Sequence, residues 1–211
     1  MGTESLDIRP PLQQRSREAW ARILDAGVAL LEEGGYEAFT VAAVCERAQV
    51  PPRAIYARAD SKDALFLAVY DHGMARLKTE QAVFTDDEQW RGLSAGQRCA
   101  KAVRGVAESF FRHTPLLRAV VLISGAHPEV YRRGTTQVRD LGDLFTAQLL
   151  PAAADIDHPD PEAAVRAAFG MVFSALTVRT AYGPGFTAPA TTDREFLDAL
   201  TDVADRYLFR R

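Results

Sequence analysis

The chain has 211 residues, 47% of them hydrophobic and 25% charged, with 25 basic side chains against 28 acidic ones and a net charge of −3. That is room for one or two domains around a packed core, and it excludes a disordered chain and a disulfide-stapled miniprotein. Met1–Trp20 holds no apolar signal-like core, and the longest uncharged apolar run, Ala167–Val178, is 12 residues against the roughly 20 needed to span a bilayer. A cytoplasmic protein with no membrane contact is therefore expected. Cys45 and Cys99 lie far apart in segments patterned as helices, which points to reduced core thiols rather than to a disulfide or a metal site.

From Ser16 to Glu33, Trp20, Ile23, Leu24, Leu30 and Leu31 fall on one face of a helix, which Gly34 and Gly35 end. Thr40 is placed to cap a short helix running to Ala48, with Val41 and Val44 inward and a tight turn at Gln49-Val50. Pro51 and Pro52 suit the first turn of a third short helix, reaching about Arg58, because the N–H groups they lack have no partner there. Ser61 caps a fourth helix whose broad apolar face holds Leu65, Phe66, Val69, Tyr70, Met74 and Leu77. Phe84–Gly96, with its acidic run and two glycines, reads as a linker and a domain boundary. Beyond it, helices are expected over about 97–113, 115–125, 128–150, 161–182 and 193–209, separated by Pro and Gly breaks. No period-two pattern is sustained anywhere, so the fold class is all-α.

Charge is segregated along the first third. Residues 9–22 carry Arg9, Arg15, Arg17 and Arg22 against Glu18 alone, residues 23–46 are purely acidic, and residues 47–62 carry Arg47, Arg53, Arg58 and Lys62 against Asp60. Two basic stretches inside an acidic chain suit a phosphate backbone, although such runs are also the ordinary dress of solvated helix faces. The spacing decides between them. Two short helices joined by a tight turn, the second opening with rigid residues and flanked by Arg and Lys, are what reading the DNA major groove requires.

Here the sequence resembles the TetR-type transcriptional regulators, over about residues 16–70. The resemblance rests on Ile23-Leu24, Gly35-Tyr36, Thr40-Val41, Val44, Ala48-Gln49-Val50, Ile55-Tyr56 and Ser61-Lys62-Asp63-Ala64-Leu65. It implies an N-terminal arm over 1–15, a three-helix helix-turn-helix domain over 16–62, and a larger helical ligand-binding and dimerisation domain over 63–211. It further implies that Thr40 bonds a phosphate, that Pro51, Pro52 and Arg53 open the recognition helix with Arg53 placed for guanine, and that Tyr56 and Lys62 hold the DNA backbone. Arg47 and Arg58 are further DNA-binding candidates that also read as plain surface charge. The chain departs from the family pattern at Gln49, where glycine is usual and a strained or left-handed residue is expected. It departs again at Ala59, where an aromatic is usual and looser packing between the third and fourth helices is expected.

One recognition helix reads few base pairs, so such proteins dimerise. The resemblance places a homodimer interface on the last two helices, with Val172, Phe173, Leu176, Phe196, Leu200, Val203 and Tyr207 as candidates. It places an effector pocket between the middle helices, with Phe110, Phe111, Leu117, Val121, Phe145 and Phe169 as walls and His113, Arg118 and His127 as polar partners. That set implies a small apolar or aromatic effector. A repressor released from operator DNA by such a ligand, with no cofactor and no metal, is the reading favoured. The alternatives are an all-helical enzyme or a ligand-responsive dimer acting on a protein partner. No catalytic motif supports an enzyme, and Asp155, Asp157, His158 and Asp160 lack the glycine and terminal glutamate of a calcium loop.

Overall fold

The computed structural model describes residues 14–209, so most of the expected arm lies outside the described residues. These residues form nine α-helices and three short 3-10 segments, with no strand among them. The helices are α1 (Gln14–Ala38), α2 (Val41–Ala48), α3 (Pro52–Tyr56), α4 (Lys62–Glu80), α5 (Ala95–Arg112), α6 (Thr114–Ser124), α7 (Pro128–Leu149), α8 (Pro161–Tyr182) and α9 (Asp193–Phe209). None of them is long and apolar enough to cross a membrane.

Local chemistry sets the ends of these helices. The hydroxyls of Thr40 and Ser61 each accept from the backbone N–H three residues on, both at 3.1 Å. Ser94 and Gln97 form a reciprocal capping box at the start of α5, and Asp160 caps α8; each such cap satisfies donors that the first helical turn leaves without partners. Gly35, at φ 65° and ψ −161°, breaks α1 so that only a last short turn follows it.

The head, α1–α3 and the start of α4, closes over Phe39, Val44 and Ile55, none of which is exposed. Helix α1 continues past the head to pack on α6 as well as α4. Its approach to α4 is close enough that a Cβ at Gly27 would lie 2.4 Å from Val69 Cγ2. The α4 segment from Ala64 to Tyr70 is buried at every position, because the helix is covered on both sides. The second layer packs α5 against α7 and α9, and α8 against α6, α7 and α9.

The stretch read as a linker is instead a packed corner. Phe84 and Trp90 are buried and stacked with centroids 5.9 Å apart. Trp90 Nε1 donates to Val83 O at 2.7 Å, Gln148 Nε2 to Phe84 O at 2.6 Å, and Arg98 bridges the carbonyls of Trp90 and Gln148 at 2.8 Å each. The acidic run between the two aromatics faces water, as do Arg91, Gly92 and Ser94. Cys45 and Cys99 are both buried and unbridged, and burial pushes the Cys99 thiol up to about 12.

Candidate nucleic-acid interface and cavity

The turn between α2 and α3 is built on Gln49, which adopts φ 53° and ψ 51° and is the one non-glycine residue with positive φ among those described. Its N–H reaches Glu46 O at 3.2 Å, and the Val50 N–H reaches Cys45 O at 3.0 Å. These bonds close α2 as a glycine would, at the steric cost that an L side chain carries there. Pro51 is extended, Pro52 opens α3, and Ala54 N–H bonds back to Pro51 O at 2.9 Å. The chain is thereby turned so that Pro51, Pro52 and Arg53 are all exposed, while Ile55 points into the core. Ala59 is fully buried: its small side chain is closed over, and the corner between α3 and α4 is not left open.

The candidate DNA residues divide by what already holds them. Arg53 and Tyr56, the latter 50% exposed, have no side-chain partner among the described residues. Thr40 is exposed while capping α2. Lys62 lies with Nζ 4.1 Å above the Tyr36 ring, whose hydroxyl donates to Asp63 at 3.3 Å. Burial and the Asp63 carboxylate together raise the Tyr36 phenol above its usual range. Arg47 is tied to Glu33 on α1 at 2.7 Å.

Arg58 departs from its expected place. It is 5% exposed, donates to Ser16 O and Oγ at 2.8 and 2.6 Å, and lies 5.1 Å from the Trp20 ring. Burial lowers its pKa. It holds the start of α1 against the α3–α4 corner, so it is an internal strut, turned away from any surface that could meet DNA.

A cavity of about 460 Å³ lies in the second layer. Of the candidate pocket residues, Phe110, Leu117 and Val121 line it, joined by Phe173, a candidate for the dimer interface. Its remaining walls come largely from α4 (Tyr70, Met74, Leu77) and α7 (Val130, Val138, Leu141). The other expected pocket residues lie elsewhere. Phe145 is fully buried and packs 5.5 Å from Phe169, which closes on Gly142. His127 caps α7 and lies 5.5 Å from Phe66. Phe111, His113 and Arg118 are outside the lining, with Arg118 exposed to solvent.

Helix α4 therefore carries both ends of the system, with Lys62 at the head and Tyr70 at the cavity. Tyr70 Oη donates to Gln137 Oε1 on α7 at 3.2 Å, and Arg133 of α7 pairs with Asp71. Burial, reinforced by Asp71 and opposed by Arg133, raises the Tyr70 phenol to about 12, so it stays a neutral donor.

The residues expected at a dimer interface also separate. Val172 and Leu176 are each 1% exposed within this single chain, so they belong to its own core. Phe196 lies under Arg179 at 4.6 Å. The Tyr207 ring lies tilted against His158 with centroids 4.7 Å apart, and the His158 ring bonds the Tyr207 carbonyl at 2.7 Å. Leu200 is half-buried, and Val203 is 56% exposed. The exposed line of α8 runs instead through Ala167, Gly170, Met171 and Ser174, while α9 exposes Ala199 beside Val203. Among the described residues no group of three or more His, Cys, Asp or Glu is arranged to hold a metal.

Residues 23–69 match the family model described as bacterial regulatory proteins, tetR family. The whole fold is similar to that of a TetR-like transcriptional regulator from Rhodococcus sp. RHA1, at 20% identity and a TM-score of 0.65, over 94% of this chain and 97% of that one. It is also similar to a TetR transcription regulator from Haloarcula marismortui ATCC 43049, at 16% identity and a TM-score of 0.68, over 91% and 97%. A bacterial regulatory protein in the tetR family from Rhodococcus RHA1 is similar at 20% identity and a TM-score of 0.68, over 90% and 96%. No curated protein has a significantly similar sequence. At these identities the solved structures speak to the fold, and the match of residues 23–69 speaks to the head.

Proposed function

From the match of residues 23–69 to the tetR family model and the shared fold, we propose that this chain is a TetR-type transcriptional regulator, a repressor that grips operator DNA as a homodimer and is released by a small effector. The observation that carries the DNA reading is the uncommitted pair on α3. Arg53 and Tyr56 stand exposed without side-chain partners among the described residues, behind a turn that also exposes Pro51 and Pro52. An arginine free at the start of a recognition helix is placed to make a bidentate contact to guanine, worth about 1–3 kcal/mol of discrimination. Thr40 at the α2 N-terminus, Tyr56 and Lys62 are the backbone contacts in this reading. Arg47 contributes only if it leaves Glu33. Chromosomal DNA as the target implies action in the cytoplasm.

Pairing of two heads is assigned to α8 and α9 through Ala167, Gly170, Met171, Ser174, Ala199 and Val203. Small side chains on α8 let a partner helix approach closely, and Met171 and Val203 supply the apolar area. The effector site is the cavity walled by α4 and α7. A ligand there releases DNA only to the extent that it binds the released arrangement more tightly than the gripping one.

The test is an anisotropy titration of DNA from the upstream region of the protein's own gene, at several salt concentrations. Log affinity falls linearly with log salt if phosphates are neutralised, and Arg53→Ala loses about 1–3 kcal/mol. Equal, salt-insensitive binding by both proteins would remove α3 as the reading helix.

A further inference from the structure

The polar groups on the cavity wall restrict what can occupy it. The charged side chains in the lining are Lys78, Arg139 and Asp140, and all three are exposed, which puts them at the mouth, where water screens them. No charged group stands deeper to neutralise an ion, and burying an unpaired charge is prohibitive.

Among the neutral polar groups, the hydroxyls of Ser124 and Thr135 donate to the carbonyls of Val121 and Tyr131 in their own helices, at 2.7 and 2.8 Å. The Thr177 hydroxyl is sealed from solvent without a hydrogen-bond partner. Ser109 sits on a helix where its hydroxyl is able to turn back to the preceding turn's carbonyl. Gln81 and Tyr131 also line the cavity and make no side-chain hydrogen bond among the described residues, but nothing holds the Gln81 amide in one plane and Tyr131 is 65% exposed. Gln137 differs from all of these. Its Oε1 accepts the Tyr70 proton at 3.2 Å, which fixes the amide plane, and its Nε2 has no partner among the described residues and is not sealed from solvent. It is an oriented donor with no protein acceptor among the described residues. Tyr70 remains protonated throughout the working pH range, so the orientation holds.

Resting on the effector reading above, we propose that the cavity takes an uncharged, mainly apolar molecule carrying one hydrogen-bond acceptor, a ketone, ester or alcohol oxygen, which the Gln137 amide N–H receives beside Tyr70. The apolar body fills the space among Met74, Phe110, Leu117 and Phe173. The acceptor places the ligand's polar end against the hydrogen bond that joins α4 to α7.

The experiment is calorimetric titration of the full-length protein, without DNA, using three ten-carbon probes: 2-decanone, decanoate and decyltrimethylammonium. The ketone binds at least tenfold more tightly than either ion. Gln137→Met, which keeps the length and removes the donor, weakens 2-decanone about three- to tenfold, while Ser109→Ala stays within twofold. Gln137→Glu keeps an acceptor for Tyr70 and removes the donor, so it loses at least as much, the added carboxylate charge included, even if the Met variant folds poorly.

Tightest binding by decanoate or by the ammonium overturns the assignment, as does undiminished ketone affinity in both Gln137 variants or no binding of any probe. DNA release is read separately by anisotropy. A ketone that binds through Gln137 without releasing DNA sinks the effector reading and leaves the ligand class standing. A charged compound that expels the ketone and releases DNA does the reverse.

Discussion

The head and the cavity layer are both helical and both apolar inside, yet they are specified in opposite ways. In the head, each feature is set within a few residues: Thr40 caps α2, Gln49 turns it, Pro52 opens α3, and the inward residues Val44 and Ile55 lie close by in the chain. In the cavity layer, each wall is contributed by a helix distant in sequence, and the contact between Tyr70 and Gln137 spans 67 positions. The first arrangement leaves its outward side chains free for a partner. The second leaves a space inside, with Gln137, held by Tyr70, in its lining.

The largest expected effect tests whether the packing contrast is real. Phe39→Ala removes a fully buried ring that lies 6.4 Å from Tyr36 and 5.6 Å from Phe66, and is expected to cost about 3–5 kcal/mol. Leu117→Ala, on a wall that already faces space, is expected to cost only about 2 kcal/mol, the low end for such truncations. Urea unfolding of both variants measures the pair. Equal losses would mean that the cavity is collapsed in solution.

Next comes the difference between two arginines five positions apart. Arg53→Ala weakens DNA binding by about 1–3 kcal/mol and leaves the melting temperature unchanged, because its side chain is exposed and makes no hydrogen bond or ion pair among the described residues. Arg58→Ala lowers stability by about 1.5–3 kcal/mol, since its guanidinium holds Ser16 through charge-assisted bonds. Paired melts and DNA titrations check this. Identical behaviour of the two variants would erase the distinction between reading side chain and strut.

These two arginines also show where the sequence was legible. The spacing from Gly35 to Leu65 gave the head because caps, turns and proline positions are local signals, and the left-handed Gln49 was readable for that reason. Arg58 was not, because its partners Ser16 and Trp20 come from a helix forty residues earlier and no local pattern announces them. The cavity fared less well. Phe145 and Phe169 look like pocket aromatics, yet Gly142 lets Phe169 close onto α7, where a Cβ would lie 2.9 Å from its ring. The α4 residues Tyr70, Met74 and Leu77 are cavity walls, and the breadth of that helix's apolar face was the available sign that it is covered from two sides. The division of α8 and α9 between own core and exposed line depends on packing angles that apolar periodicity does not encode.

A smaller effect sharpens the account of the turn. Gln49→Gly removes the steric cost of a left-handed L residue, which is about 1–2 kcal/mol, and adds back part of it as unfolded-chain entropy. A net gain of about 1 kcal/mol is expected, seen as a rise of about 2–4 °C in melting temperature for a chain of this length. A fall would mean that the Gln49 side chain makes a compensating contact in solution.

The smallest effect separates the layers by pH. Glu129 accepts from Arg132 at 2.7 and 2.8 Å and from Arg133 at 2.8 Å, and these bonds depress its carboxyl to about 2. Arg133 in turn pairs with Asp71 on α4, so Glu129 orients the arginine that braces α7 against α4. A carboxyl depressed on folding contributes stability above the ordinary glutamate range, near pH 4.5, and that contribution is lost as pH falls through the folded value. Glu129→Gln is therefore expected to be less stable than the native chain by under about 1 kcal/mol at neutral pH, the scale of a solvent-screened pair. The gap narrows between pH 4.5 and 2 and vanishes below, while no such convergence is expected for Arg53→Ala, whose site holds no depressed carboxyl. Urea midpoints of the three proteins across that interval decide it, and a gap that stays constant with pH would mean that Glu129 acts through packing rather than charge.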